Sequence, residues 1–210
     1  MKGKTGMDKA RLNFFIEKAI NLAGVIFYGF LAYDMLISFI VAHRLSSLVF
    51  LIMESVVIYF FLTRDMPRQT SMRPYDWFIA LAGSYLPLLL RPAGGVQDVS
   101  LFLSVQLTGT VASILAILFL NSSFGLVAAN RGIKKGGLYK YVRHPIYAGY
   151  IITYTGFILQ NMCLWNGVIL FSVLIFLLLR VIAEEEFLAK DPAYAEYMAK
   201  TRWRLFPYVF

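Results

Sequence analysis

Long uncharged runs alternate with short polar ones along this chain. The runs show neither the strict period of two of a half-buried strand nor a polar helix face. Segments of that length predict helices crossing a bilayer, each needing about 20 residues. Six are read: Ile20 to Ala42, broken only by Asp34; Leu45 to Thr63, broken only by Glu54; Trp77 to Leu90; Leu101 to Leu120; Ile146 to Leu159; and Leu164 to Ile182. The third is short and holds Pro87, so it borrows flanking residues or lies tilted. His43-Arg44 makes a tight turn after the first span, and Gln160-Asn161 one between the last two. Asn121-Ser122-Ser123 followed by Phe124-Gly125 ends the fourth helix in an interfacial stretch, because Asn, Ser and Gly interrupt regular structure. The expected architecture is an all-α polytopic membrane bundle forming one domain over 1–210. Residues 1–120 are its helical scaffold and 121–210 its chemically dense part.

Basic residues fix an orientation for six spans. With the amino terminus inside, inner segments hold 18 Lys and Arg and the outer turns only Arg44 and Arg91. Such asymmetry places both termini in the cytoplasm, in an inner or cytoplasmic membrane. It also accounts for the formal charge of +8 without nucleic acid, for which no continuous basic face exists. The apolar run after the amino-terminal lysines is too long for a secretory leader and reads as a mature first helix.

Composition narrows the chemistry. Of 210 residues 59% are hydrophobic and 15% charged, which excludes a disordered, collagen-like or disulfide-framed chain. Cys163 has no second cysteine to pair with, and His43 and His144 are too few and too far apart for a metal site. No metal is expected. Six dissimilar spans without repeated halves disfavour a transporter.

Two inner polar segments carry the remaining functional groups, Asn130 to His144 and Arg180 to Phe210. In the first, Lys140, Arg143 and His144 stand with Tyr139, Tyr141 and Tyr147 around a helix start at Pro145, where a missing N–H costs nothing. The free N–H groups and positive dipole there attract a carboxylate. In the second, Glu184-Glu185-Glu186 closes the last span, and three acids at a helix carboxyl end oppose its dipole unless a cation meets them. Two simpler readings stay open: Arg143 and Lys140 as headgroup anchors, and the glutamates as a solvated helix end. Asp34 and Glu54 are either functional or structural acids bonded between helices. A ligand joining a cationic aromatic segment to an acidic one carries a carboxylate, a flat ring and a positive centre, as S-adenosylmethionine does.

The run Gly137-x-Tyr139-x-x-Val142-Arg143-His144-Pro145-x-Tyr147-x-Gly149, then Arg180-x-x-x-Glu184-Glu185-x-x-Leu188, then Tyr194-x-x-Tyr197 and Arg204-Leu205-Phe206-Pro207, resembles the isoprenylcysteine carboxyl methyltransferase and phospholipid N-methyltransferase superfamily. The similar region is about Ser123 to Pro207. The resemblance implies S-adenosylmethionine held on the cytoplasmic side by Arg143, His144, Tyr147, Glu184 and Glu185, with Tyr139 and Gly149 shaping the pocket. It implies Arg204 and Arg202 beside the methyl acceptor as catalytic residues. The chain departs from relatives at Asp191-Pro192, where many have an aromatic-Gly pair, and only Tyr208-Val209-Phe210 follows Pro207.

Methyl transfer from a sulfonium is an in-line displacement needing donor and acceptor held close in a dry site. A carboxylate acceptor needs an Arg to position it, whereas an ammonium acceptor needs a base such as Glu186 or Glu54. The expectation is a prenylcysteine-like carboxylate drawn from the membrane. An amine-bearing phospholipid or small thiol is the alternative, and a sterol-type reductase using a nicotinamide cofactor is a rival of another class.

Overall fold

The computed structural model describes residues 2–67, 69–93 and 98–210, with backbone alone for 2–13, 16 and 88. Arg68, and the side chains of Lys2, Lys4, Lys9 and Arg11, which enter the inner charge count, lie outside the described residues. The helices are α1 (Lys2–Ala42), α2 (Leu45–Thr63), α3 (Pro74–Tyr85), α4 (Ser100–Leu120), α5 (Pro145–Gln160), α6 (Leu164–Leu188) and α7 (Pro192–Lys200). A two-residue ladder, β1 (Gln69–Thr70) against β2 (Ala129–Asn130), is antiparallel. The chain is an all-α bundle.

Four helices, over Glu17–Ala42, Leu45–Thr63, Ser100–Ser123 and Leu164–Leu188, are long and apolar enough to cross a membrane. The two other expected spans form shorter helices. In the third, Pro87 removes a backbone donor, so α3 stops at Tyr85 and one 3-10 turn, Leu86–Leu89, carries the chain on. In the fifth, α5 has 16 residues, about 24 Å of helix against a hydrocarbon core of about 30 Å. Helix α7 lies wholly within the polar tail and was not expected. Asp191 caps it by accepting from the Ala193 N–H at 2.9 Å, and Pro192 opens it, so the departure from the relatives' aromatic-Gly pair is a helix start.

Contacts between helix ends sort the bundle into two sides. At one, Arg44 before α2 donates to Asp98 before α4 at 3.1 Å and to Asn161 after α5 at 2.9 Å, while Asn166 near the start of α6 accepts from the Arg91 N–H at 3.0 Å. At the other, the Asp65 N–H after α2 donates to the Ser122 carbonyl after α4 at 2.8 Å, Arg73 before α3 meets Glu186 at 3.1 Å, and Arg143 before α5 meets Glu185 at 2.7 Å. Successive segments therefore run antiparallel. Arg44 and Arg91 share the first side, and Arg64, Arg73, Arg131, Arg143 and Arg204 the second.

Asp98 organises the first side. Its carboxylate accepts the Ser46 N–H at 2.8 Å and hydroxyl at 2.7 Å, so a distant acid caps the start of α2. Burial pushes its pKa up, but the Ser46 bonds and Arg44 outweigh that and hold it below the usual carboxylate range. A depressed folded-state value contributes stability present above the unfolded pKa and lost as pH falls through the folded one. Wild type is therefore expected to lose more melting temperature than Asp98→Asn as pH drops from about 5 to about 3, read by thermal unfolding in detergent. Equal losses refute the assignment.

The core is aromatic and aliphatic, with Met53, Phe61, Ile79, Ile117, Phe157 and Leu177 almost wholly enclosed. The closest helix pair is α4 on α5, and glycine makes it so. A Cβ at Gly149 would sit 2.2 Å from the Ser113 hydroxyl, and one at Gly156 2.5 Å from the Gln106 backbone nitrogen. Small residues let membrane helices approach to backbone contact, where dispersion replaces the absent hydrophobic drive. That contact fixes the start of α5, from which the site is built.

Candidate functional site

Residues 137–147 turn from a 3-10 segment, Gly137–Lys140, into α5. Gly137 has a φ of 57°, a left-handed conformation that favours glycine. The tail returns beside this turn. The Arg143 N–H donates to the Trp203 carbonyl at 2.9 Å and the His144 N–H to that of Arg204 at 2.8 Å, joining two stretches about 60 residues apart. The Arg143 side chain donates to the carbonyls of Thr201 at 2.9 Å and Arg202 at 3.1 Å.

Two carboxylates at the end of α6 meet this turn. Glu185 is buried and receives Arg143 through Nε at 2.7 Å and Nη2 at 3.2 Å, His144 Nε2 at 3.1 Å, and Arg204 Nε at 2.9 Å. The two-pronged Arg143 contact is the stronger, geometrically specific kind. Glu184, one position earlier, turns to another face. It accepts the Tyr147 hydroxyl and Arg180 Nε at 3.3 Å, and lies 3.7 Å from His144 Nδ1. His144 thus stands between the acids.

Glu184 faces a cavity of about 1110 Å³, counted with its open mouth. Arg143, His144, Tyr139, Tyr147, Arg180, Tyr194 and Tyr197 share the wall, and Tyr28, Tyr150 and Tyr154 continue it inward. Glu184 is its single acid among the described residues, whereas Arg131, Lys134, Arg143 and Arg180 are cations of the wall. Burial pushes the Tyr139 phenol well above its ordinary value and Tyr197 up to about 12. Both therefore remain neutral hydrogen-bond donors at neutral pH, and Tyr197 donates to the Tyr139 carbonyl at 2.8 Å.

Of the residues the sequence singles out, Arg143, His144, Tyr147, Glu184 and Tyr139 reach the cavity wall. Glu185 lies behind it, bonded to Arg143 and His144. Gly149 faces α4, not the cavity. Arg204 pairs with Glu185 and stacks on Phe210 at 4.9 Å, and Arg202 stacks on Trp203 at 5.0 Å; neither is in the wall. Arg180 went unnoticed as a site residue. It is buried, lies over the Tyr147 ring at 5.0 Å and donates to Ser84 at 2.8 Å. A lone cation inside an apolar span, four residues before an acid, was the available signal. A second omission is the charge knot where Arg64 and Arg131 each reach Glu17 at 3.1 Å. Burial and then its like-charged neighbour lower Arg64 to about 10, so its charge survives at neutral pH. The knot ties α1 and α2 to the 124–134 wall.

Residues 96–195 match the family described as phospholipid methyltransferase. Over that segment, 100 of 210 residues, the chain is similar to the phospholipid methyltransferases. The segment takes in α4 to the start of α7, including the turn, both acids and most of the cavity wall, and the matched family lies in the superfamily that the Arg-His-Pro signature resembles. The match and the four long apolar helices support an integral membrane protein related to methyltransferases, and no curated protein matches the chain.

Proposed function

We propose that the protein transfers a methyl group from S-adenosylmethionine to an amine-bearing lipid, at the cytoplasmic face formed by the second side of the bundle. The observation that carries the reading is the cavity wall where Arg143, His144 and Tyr147 from the start of α5 meet Glu184 and Arg180 from the end of α6. That donor set fits a zwitterionic nucleoside. Cations and the free N–H groups opening α5 suit its carboxylate, Glu184 its positive centres, and the tyrosines its ring. When bound, the cofactor supplies a methyl on a sulfonium for in-line displacement. The chain's own residues hold donor and acceptor together and keep water out.

The family match favours an amine-bearing phospholipid as acceptor. The geometry supports it, because Arg202 and Arg204, on which a carboxylate acceptor depends, lie outside the wall. Glu54 is buried with Oε2 unbonded, but it too lies outside the wall, so it is not assigned as the base for an ammonium. A prenylcysteine-like carboxylate is the second reading, favoured by the cationic wall of Arg131, Lys134 and Arg180.

The test incubates purified protein with methyl-labelled S-adenosylmethionine and, separately, aminophospholipid vesicles, a prenylcysteine analogue and a hydrophobic thiol. Label in phospholipid supports the proposal; label in another acceptor replaces its acceptor half. Label in none, with spectroscopic binding of a reduced nicotinamide cofactor, overturns it in favour of a reductase. His144→Ala and Glu184→Gln are each expected to weaken S-adenosylmethionine binding about tenfold or more, the loss typical of a hydrogen bond to a charged group. Unchanged calorimetric affinity in both refutes the site.

A further inference from the structure

Helix α1 stands apart from the other long helices. Over its apolar stretch 11% of positions are buried, against 50% in α2, and its packing is almost wholly against α2. Its inner face is conventional: Leu31 and Met35 are buried, and the Ser38 and Ser47 hydroxyls bond across the pair at 2.9 Å. The outer face holds the anomaly. Ala23, Phe27, Phe30, Asp34, Ile37 and Val41 are all exposed and follow the alternating four-three spacing of a left-handed helix seam; Phe27 also stacks on Tyr85 of α3 with ring centroids 4.2 Å apart, so the open part of the seam is Phe30 to Val41. Asp34 sits in the middle of that seam, eight residues before the helix end at Ala42, about 12 Å along the axis from that end and within the apolar stretch. Among the described residues it has no hydrogen bond or ion pair.

A carboxyl group facing lipid tails there is costly, and intramembrane acids almost always face protein or a water-filled cavity. We infer that the exposed face of α1 is covered in the membrane by α1 of a second copy of this chain. Self-complementarity selects that occupant. Every copy inserts with the same topology, so a two-fold axis along the membrane normal places both Asp34 residues at one depth, as an isologous interface requires. A carboxyl group both donates and accepts when protonated, so two satisfy each other. Tyr33, next along the helix and 61% exposed, offers the second copy's Asp34 a further hydroxyl donor. One polar position in an otherwise apolar seam also fixes register. The inference is independent of the methyltransfer reading.

The test uses the full chain in lipid nanodiscs and liposomes, with Cys163→Ser as background and single cysteines at Phe30, Ile37, Val25 or Ala32. Oxidation is expected to cross-link copies at Phe30 and Ile37, on the seam, and not at Val25 and Ala32, on the opposite face. Asp34→Leu is expected to reduce the Ile37 cross-link and the dimer fraction by fluorescence transfer about tenfold, while Asp34→Asn, which keeps a donor and an acceptor, retains both. Equal or absent cross-linking at all four positions, monomers at every protein-to-lipid ratio, or a dimer untouched by Asp34→Leu would overturn it. Folding is checked independently, since Asp34→Leu adds an apolar group to a lipid-facing surface and should melt no lower than wild type.

Discussion

Glu185→Ala is expected to destabilise the protein by about 3–5 kcal/mol, lowering the melting temperature in detergent by on the order of 10 °C. The carboxylate it removes is the common partner of Arg143, His144 and Arg204, at 2.7, 3.1 and 2.9 Å. Arg143 and His144 are buried, so neither can turn to water when its partner goes. The loss is that of stranding buried charge, far larger than the net worth of a surface pair. Glu185→Gln separates two contributions. It keeps an acceptor for one donor but removes the charge, so most of the destabilisation should remain. Cofactor affinity falls with it, because Glu185 holds the Arg143 and His144 side chains that reach the cavity. Glu184→Gln provides the contrast: its carboxylate faces the cavity and meets fewer cations, so affinity should fall more than stability. A Glu185→Ala protein that melts as wild type would show that the cluster does not hold the tail against α5.

How much of this was readable in the chain depends on the range of the interaction. The limits of α2, α4 and the α5–α6 turn follow from local signals, apolar runs closed by Arg64, by Asn121-Ser122-Ser123 and by Gln160-Asn161, and the structure places them within a residue or two. The side of the bundle to which each connection belongs was also legible, because charge marks the ends of apolar helices. The antiparallel course of the helices keeps Arg44 and Arg91 apart from the other described arginines at helix ends. Proximity of the Arg143 and Glu185 segments entered through a motif resemblance, and sequence spacing alone did not carry it. Three features were invisible because they arise only in three dimensions. The 201–204 tail pairs with the backbone of 143–144 through main-chain bonds that no side chain announces. Consecutive helical residues diverge by about 100°, so Glu184 and Glu185 were bound to face differently, but which one meets the cavity is set by the rotation of α6 about its axis. Gly149 read as part of a pocket motif because it follows Tyr147 by two residues, yet that offset turns it towards α4.

Gly156→Val and Gly109→Val are expected to be the most damaging changes away from the charged cluster. A Cβ at Gly156 falls 2.5 Å from the Gln106 nitrogen and 2.8 Å from its Cα, and one at Gly109 falls 2.4 Å from the Thr153 nitrogen. The obstacles are backbone atoms of the facing helix, which no rotamer change can clear, so α4 and α5 must separate. Overpacking of a core typically costs about 1–3 kcal/mol, and a clash with backbone belongs at or above the top of that range. The effect should reach the site although neither glycine touches it: displacing α5 moves Tyr147 and His144, which its first turn carries. Each variant is therefore expected to lower both the unfolding midpoint and S-adenosylmethionine affinity. Gly167 on α6 supplies the control, because nothing lies within 4 Å of a Cβ placed there. Gly167→Ala should leave affinity alone and raise stability by up to about 1 kcal/mol through helix propensity. If Gly156→Val and Gly167→Ala behave alike in thermal unfolding, glycine contact is not what holds α4 to α5, and the position of the α5 start needs another cause.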